Sequence, residues 1–105
     1  MDAKTRARYD ARATILKAMA HPTRLFIIDQ LAEGERCVCE LTDMIGADKS
    51  TVSKHLSVLK SAGLVHDEKR GLQVFYTLRV PCATSLFNCI EGVVKSNAEA
   101  HLAAL

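Results

Sequence analysis

Apolar residues in this chain recur mostly at three- and four-residue steps. The clearest case lies between Asp48 and Val65, where Val52, Leu56, Leu59 and Ala62 share one face of a predicted helix. The opposite face carries Lys49, Ser50, Ser53, Lys54, Ser57 and Lys60, with no carboxylate after Asp48. Asp48 suits the N-cap of this helix, and Gly63 suits the position just beyond its end. Three helices are predicted upstream. The first spans residues 4–20, with Ala11, Ile15, Ala18 and Met19 as its buried stripe and Arg6, Arg8 and Arg12 exposed. The second starts at Pro22 behind a capping His21 and ends at Gly34. Leu25, Ile28 and Leu31 or Ala32 form its apolar face, widened by Phe26 and Ile27. The third runs from Arg36 to Ile45, with Val38, Leu41, Met44 and Ile45 apolar, and stops at Gly46. The short Gly46-Ala47-Asp48 link then makes a helix-turn-helix over about residues 37–63.

Beyond Gly63 the period changes. Leu64 to Lys69 and Leu72 to Leu78 are β-branched and aromatic runs separated by Arg70-Gly71, which predicts a hairpin, or wing, over about residues 64–79. Pro81 opens a last helix in which Ala83, Leu86, Phe87, Ile90, Val93 and Val94 make an apolar surface broader than one intramolecular contact needs. The expectation is a single domain over residues 1–105, mainly α with a small β-hairpin wing: a winged helix-turn-helix. It would dimerise through terminal helices at about 4–20 and 81–103.

At 105 residues and 49% hydrophobic content, the chain has material for one modest core. The net charge of +2 says little, but its distribution says more. Residues 29–48 hold Asp29, Glu33, Glu35, Glu40, Asp43 and Asp48 against Arg36 alone. Residues 49–79 hold Lys49, Lys54, Lys60, Lys69, Arg70 and Arg79 against Asp67 and Glu68. A basic zone thus coincides with the helix of the acid-free face, the electrostatic footprint of a polyanion-binding surface. Hydroxyls and cations on one helix match the base edges and flanking phosphates of a DNA major groove. The candidate DNA contacts are Lys49, Ser50, Thr51, Ser53, Lys54, Ser57 and Lys60 on the helix and Lys69 and Arg70 at the wing tip. An ordinary solvated face and a charged hairpin tip are the plainer alternatives. With no long apolar run and no hydrophobic N-terminal stretch, a cytoplasmic protein without a membrane partner is expected.

In a reducing compartment the four cysteines are thiols, metal ligands or redox sensors. Cys37 and Cys39 lie two apart at the start of the third predicted helix. In a regular helix their side chains diverge by about 200°, so both sulfurs grip one ion only if the first turn is distorted. That conflict would strain the element joined to the DNA-reading helix, and thiolates select soft ions. Two small apolar packing residues are the alternative. Cys82 and Cys89, seven apart, would share a face of the last helix at about 10.5 Å, too far for one ion or a direct disulfide. They could meet a second subunit's cysteines, join Cys37 and Cys39, or simply pack.

Five segments together resemble the ArsR/SmtB family: His21-Pro22-Thr23-Arg24-Leu25, Glu35-Arg36-Cys37-Val38-Cys39-Glu40-Leu41, Ser50 to Leu59, Ala62 to Val65, and Val74-Phe75-Tyr76. The resemblance implies a dimeric winged-helix repressor that leaves its operator when a metal or metalloid binds. The Cys-Val-Cys element resembles that of arsenite- and antimonite-responsive members, which implies that Cys37 and Cys39 ligate the inducer, with Cys82 and Cys89 as further candidates. No permanently bound cofactor is expected. Thr42 stands where such relatives often have a third cysteine, and His101 is alone on the last helix, away from the zinc pattern of other relatives. The alternative is a repressor of the same fold that senses oxidants or reactive sulfur through its thiols. An enzyme is not expected: the Cys-Val-Cys spacing lacks the usual exchange motif, and no Ser, His and Asp set suggests hydrolysis.

Overall fold

The computed structural model describes residues 1–105. It is a winged helix-turn-helix: α1 (Ala3–Met19), α2 (Pro22–Glu33), β1 (Arg36–Cys37), α3 (Val38–Ile45), α4 (Lys49–Ser61), β2 (Val65–Arg70), β3 (Gln73–Leu78) and α5 (Ala83–Ala104). Local signals account for most boundaries. Asp2 caps α1, His21 Nδ1 accepts from the Thr23 amide at 3.1 Å behind Pro22 of α2, and Asp48 accepts from Thr51 at 2.7 Å to start α4. Gly46 closes α3 in the left-handed region at φ 77°, a conformation that allows the tight turn into α4.

The core gathers Ile27, Ile28 and Leu31 of α2, Val38 and Leu41 of α3, and Val52, Leu56 and Leu59 of α4. Leu64, Val65 and Tyr76 of the wing, Ala18 and Met19 of α1 and Ala83 of α5 close it. Val52, Leu56 and Leu59 are fully buried, so the predicted inner face of α4 is the observed one.

Several expectations are corrected. The third helix begins at Val38, because Arg36 and Cys37 are drawn into a strand antiparallel to β3, opposite Tyr76 and Phe75. On α2 the buried residues are Ile27, Ile28 and Leu31, while Leu25, Phe26 and Ala32 face outward. Met44 is exposed on α3, and Ala11 and Ile15 are exposed on α1. Leu72 lies in the Gly71-Leu72 turn at the wing tip, almost wholly exposed, rather than in a strand. The hairpin joins a three-stranded sheet of order β1-β3-β2.

On α5 only Ala83 is buried and Phe87 half-buried. Leu86, Ile90, Val93 and Val94 are exposed, as are Ile15 and Leu16 of α1. The broad apolar surface expected of the last helix is therefore present and uncovered in a single chain. No helix is long and apolar enough to cross a membrane.

Candidate nucleic-acid interface and sensor site

The helix α4 presents Lys49, Ser50, Thr51, Lys54, Ser57 and Lys60 to solvent, with Ser53 half-buried. Ser50 Oγ donates to Asp48 Oδ1 at 2.8 Å, so this hydroxyl is held in place at the first turn. The Thr51 amide and the Ser50 hydroxyl hold the Asp48 carboxyl below its usual range, which keeps the cap ionised. Lys49, Lys54 and Lys69 make no ion pair and are free to meet phosphate, whereas two other predicted contacts are already engaged. Lys60 Nζ donates to Asp67 Oδ2 of β2 at 2.9 Å, and that hydrogen bond raises its pKa. Arg70 donates from both guanidinium ends to Glu35, at 2.6 and 2.7 Å, and to Glu68 at 2.9 Å. Its guanidinium carbon lies 4.6 Å from the centre of the Phe75 ring. The hydrogen bond from Arg70 holds Glu35 below the usual carboxylate range.

Behind α4, His55 contacts α2. The Arg24 guanidinium donates to His55 Nδ1 at 3.3 Å, and the His21 and His55 rings lie 4.4 Å apart. Because arginine only donates, His55 Nδ1 is the unprotonated acceptor here. Partial burial, followed by the neighbouring His21 and Arg24, lowers its pKa.

The cysteine pair sits where β1 runs into α3. Cys37 is buried and extended (φ −80°, ψ 161°) as the N-cap residue, and Cys39 is exposed in the first turn. The two are disulfide-bonded, with Cα atoms 5.4 Å apart. The expected conflict with helix geometry does not arise, because Cys37 lies outside the helix and its side chain is free to turn toward Cys39. A capping box surrounds it: Cys37 Sγ accepts from the Glu40 amide at 3.3 Å, and Glu40 Oε1 accepts from the Cys37 amide at 3.1 Å. Glu40 also pairs with Arg36 at 3.6 Å. Gln73 Nε2 of β3 donates to Cys39 Sγ at 3.8 Å, and a small cavity of about 70 Å³ beside the pair is lined in part by Lys49, Leu72 and Gln73. The cysteines thus meet the wing through Gln73 of β3 and share a cavity with Lys49 of α4.

Cys82 and Cys89 are not brought to this site. Cys82 stands at the N-cap position of α5 with helical backbone angles (φ −69°, ψ −11°) and no capping hydrogen bond from its side chain, and both thiols are free and exposed. No group of three or more His, Cys, Asp or Glu side chains is placed to hold a metal ion. Sequence reasoning missed Glu35, Gln73 and the Arg24–His55 contact. Each is a meeting of residues 31 to 35 positions apart, and nothing local announces it.

The family model described as "Bacterial regulatory protein, arsR family" matches residues 21–67, which contain α2, the cysteine pair and the helix-turn-helix. The HTH-type transcriptional repressor SmtB of Mycobacterium tuberculosis is 45% identical over 69 residues, 66% of this chain and 51% of that protein; the match therefore spans about half of that relative's length. The biofilm growth-associated repressor of Xylella fastidiosa is 38% identical over 81 residues, 77% of this chain and 71% of the relative. Among solved structures, the homodimeric winged helix-turn-helix DNA-binding domain Mb0332 of Mycobacterium bovis superposes with a TM-score of 0.78 at 33% identity, covering 96% of this chain and 94% of that one. The family-model match over the helix-turn-helix, the sequence identities and the superposed fold agree, and the chain belongs to the arsR family of bacterial regulatory proteins.

Proposed function

We propose that the chain is a cytoplasmic, DNA-binding transcriptional repressor, acting as a homodimer and released from its operator by chemistry at Cys37 and Cys39. The observation that carries this reading is the placement of the cysteine pair on the cap of α3, between the wing and the acid-free face of α4. Lys49, Ser50, Thr51, Ser53, Lys54 and Ser57 enter the major groove and Lys69 reaches the backbone, while Lys60 and Arg70 join only after leaving their carboxylates. The uncovered surface of α5 and α1 seats the second subunit and sets two reading helices about 34 Å apart, one helical turn of DNA.

The inducer class this reading favours is a thiophile, trivalent arsenic or antimony or another soft metal ion. Two thiolates of the chain bind it, and its remaining valence is filled from outside. The family resemblance of the Cys-Val-Cys element supports it. A second reading, oxidation of the pair by a two-electron oxidant or reactive sulfur, is favoured by the sulfur–sulfur bond itself.

Fluorescence anisotropy on an operator duplex separates the readings. Arsenite releases the reduced wild-type protein if the first holds. Peroxide or polysulfide releases it, with a matching mass change, if the second does. Replacing Cys37 and Cys39 with Ser abolishes either release and leaves DNA affinity largely intact, because Ser at position 37 still caps α3. Release that persists in the double variant overturns the sensor assignment.

A further inference from the structure

We propose that Glu35 is a positioning residue that latches Arg70 away from DNA, and that joining Cys37 to Cys39 closes the latch. The inference rests on the repressor reading and adds to it a residue, an output element and a direction.

Arg70 is the last residue of β2 before the wing turn, beside Lys69, where a DNA-facing cation belongs. In this disulfide-bonded state it is engaged by three hydrogen bonds and a ring: a bidentate pair with Glu35, a third bond to Glu68, and Phe75 beneath it. A guanidinium held between two carboxylates has no net charge to offer a phosphate. Two routes lead from Arg70 to the cysteines. Glu35 precedes Cys37 by two residues, and β1, which carries Cys37, pairs with β3 so that Cys37 faces Phe75, the ring under Arg70. On the other side, Gln73 is the hairpin partner of Arg70, and its amide donates to Cys39 Sγ. The disulfide completes a ring of contacts from Glu35 through Cys37, Cys39 and Gln73 to Arg70 and back. Opening it frees the Cys39 side chain to rotate, loosens Gln73, and lets the wing tip shift relative to Glu35.

Closure is a two-electron oxidation. Each thiol loses a proton and an electron, one S–S bond forms, and a peroxide accepting both breaks its O–O bond to give two waters. The output follows through charge: the closed state withdraws one wing cation from each half-site.

The test uses the full-length protein and a labelled mixed-sequence duplex long enough for both half-sites, titrated at several salt concentrations after reduction with dithiothreitol or oxidation with hydrogen peroxide. The expected result is that oxidation makes the wild-type salt slope shallower by about one unit per subunit. Glu35→Gln keeps the reduced-state slope after oxidation. Removing a carboxylate near DNA raises affinity in both states, so the difference between states is the diagnostic quantity. Arg70→Ala gives equal, shallow slopes in both states. Arg70→Lys keeps the cation but loses the bidentate clasp, and retains the steep slope after oxidation. Glu35 and Arg70 are exposed, so these variants fold, and circular dichroism checks it. A Glu35→Gln protein that responds to peroxide as fully as wild type overturns the latch. So do equal slopes for the wild type in both states, while DNA binding itself stands. If the reduced wild type binds no duplex, the repressor reading falls and the latch falls with it.

Discussion

At the scale of single residues, His55 makes stability depend on pH. Its pKa lies below the ordinary value of 6.5, mainly through burial and then through His21 and Arg24, so the unfolded chain binds more protons than the folded one as pH falls below that value. This contribution is therefore complete above 6.5 and is lost as the pH drops toward the folded-state pKa. A thermal midpoint that falls between pH 7.5 and 5.5 is expected, with a flatter profile for His55→Gln; parallel profiles would show that other groups set the dependence. Because His55 lies on α4, acidification also loosens the tie between the reading helix and α2 made by Arg24. Among the exposed residues, Lys54 is unpaired, and Lys54→Ala is expected to lower the salt slope of DNA binding by about one unit. Lys60→Ala is expected to lower it less, since Asp67 already neutralises that ammonium. The sequence could not rank these two lysines. Both fall on the polar side of the helical pattern, and only the fold brings Asp67 across to one of them.

At the scale of elements, the helix-turn-helix depends on two kinds of position. Leu56 is fully buried, and Leu56→Ala is expected to cost about 2–5 kcal/mol, read from urea unfolding. Gly46 has nothing within 4 Å of where a Cβ would stand, yet its φ of 77° is a left-handed conformation. Gly46→Ala is therefore expected to cost roughly 1–2 kcal/mol through backbone strain alone, with no cavity or clash involved. Elements were legible in the sequence where the deciding interactions are local. The Asp48 cap, the inner face of α4 and the glycines that end α2, α3 and α4 all fall within one or two turns of the residues they govern. They were illegible where a distant partner decides. Leu25, Phe26, Ile27 and Ile28 form an unbroken apolar run, and only packing against α4 and the sheet selects Ile27 and Ile28. Arg36 and Cys37 carry helix-compatible neighbours, but β3 recruits them into a strand. That two-residue shift of the helix start also changes the mechanics of the cysteine pair: Cys37 outside α3 closes on Cys39 without unwinding a turn.

At the scale of the whole molecule, the terminal helices leave Ile90, Val93 and Val94 about half exposed, more apolar surface than a monomer of this size leaves open without a purpose. Ile90→Asp combined with Val94→Asp is expected to move the protein from twice its 11.5 kDa mass to the monomer in light scattering and to weaken operator binding, without unfolding the helix-turn-helix. An unchanged mass would place the dimer seam elsewhere. The winged architecture itself was readable from the change of period after Gly63, but the third strand was not, since two residues carry no periodicity.

The sheet order leaves β2 on the outside, where every residue after Val65 is exposed and five in a row are His66, Asp67, Glu68, Lys69 and Arg70. An open β edge invites neighbouring molecules to add their own strands and grow into fibres, and an ionic run of mixed sign along that edge opposes such stitching. That charged border is therefore a guard against aggregation, and trimming its charges would cost solubility before it cost the fold.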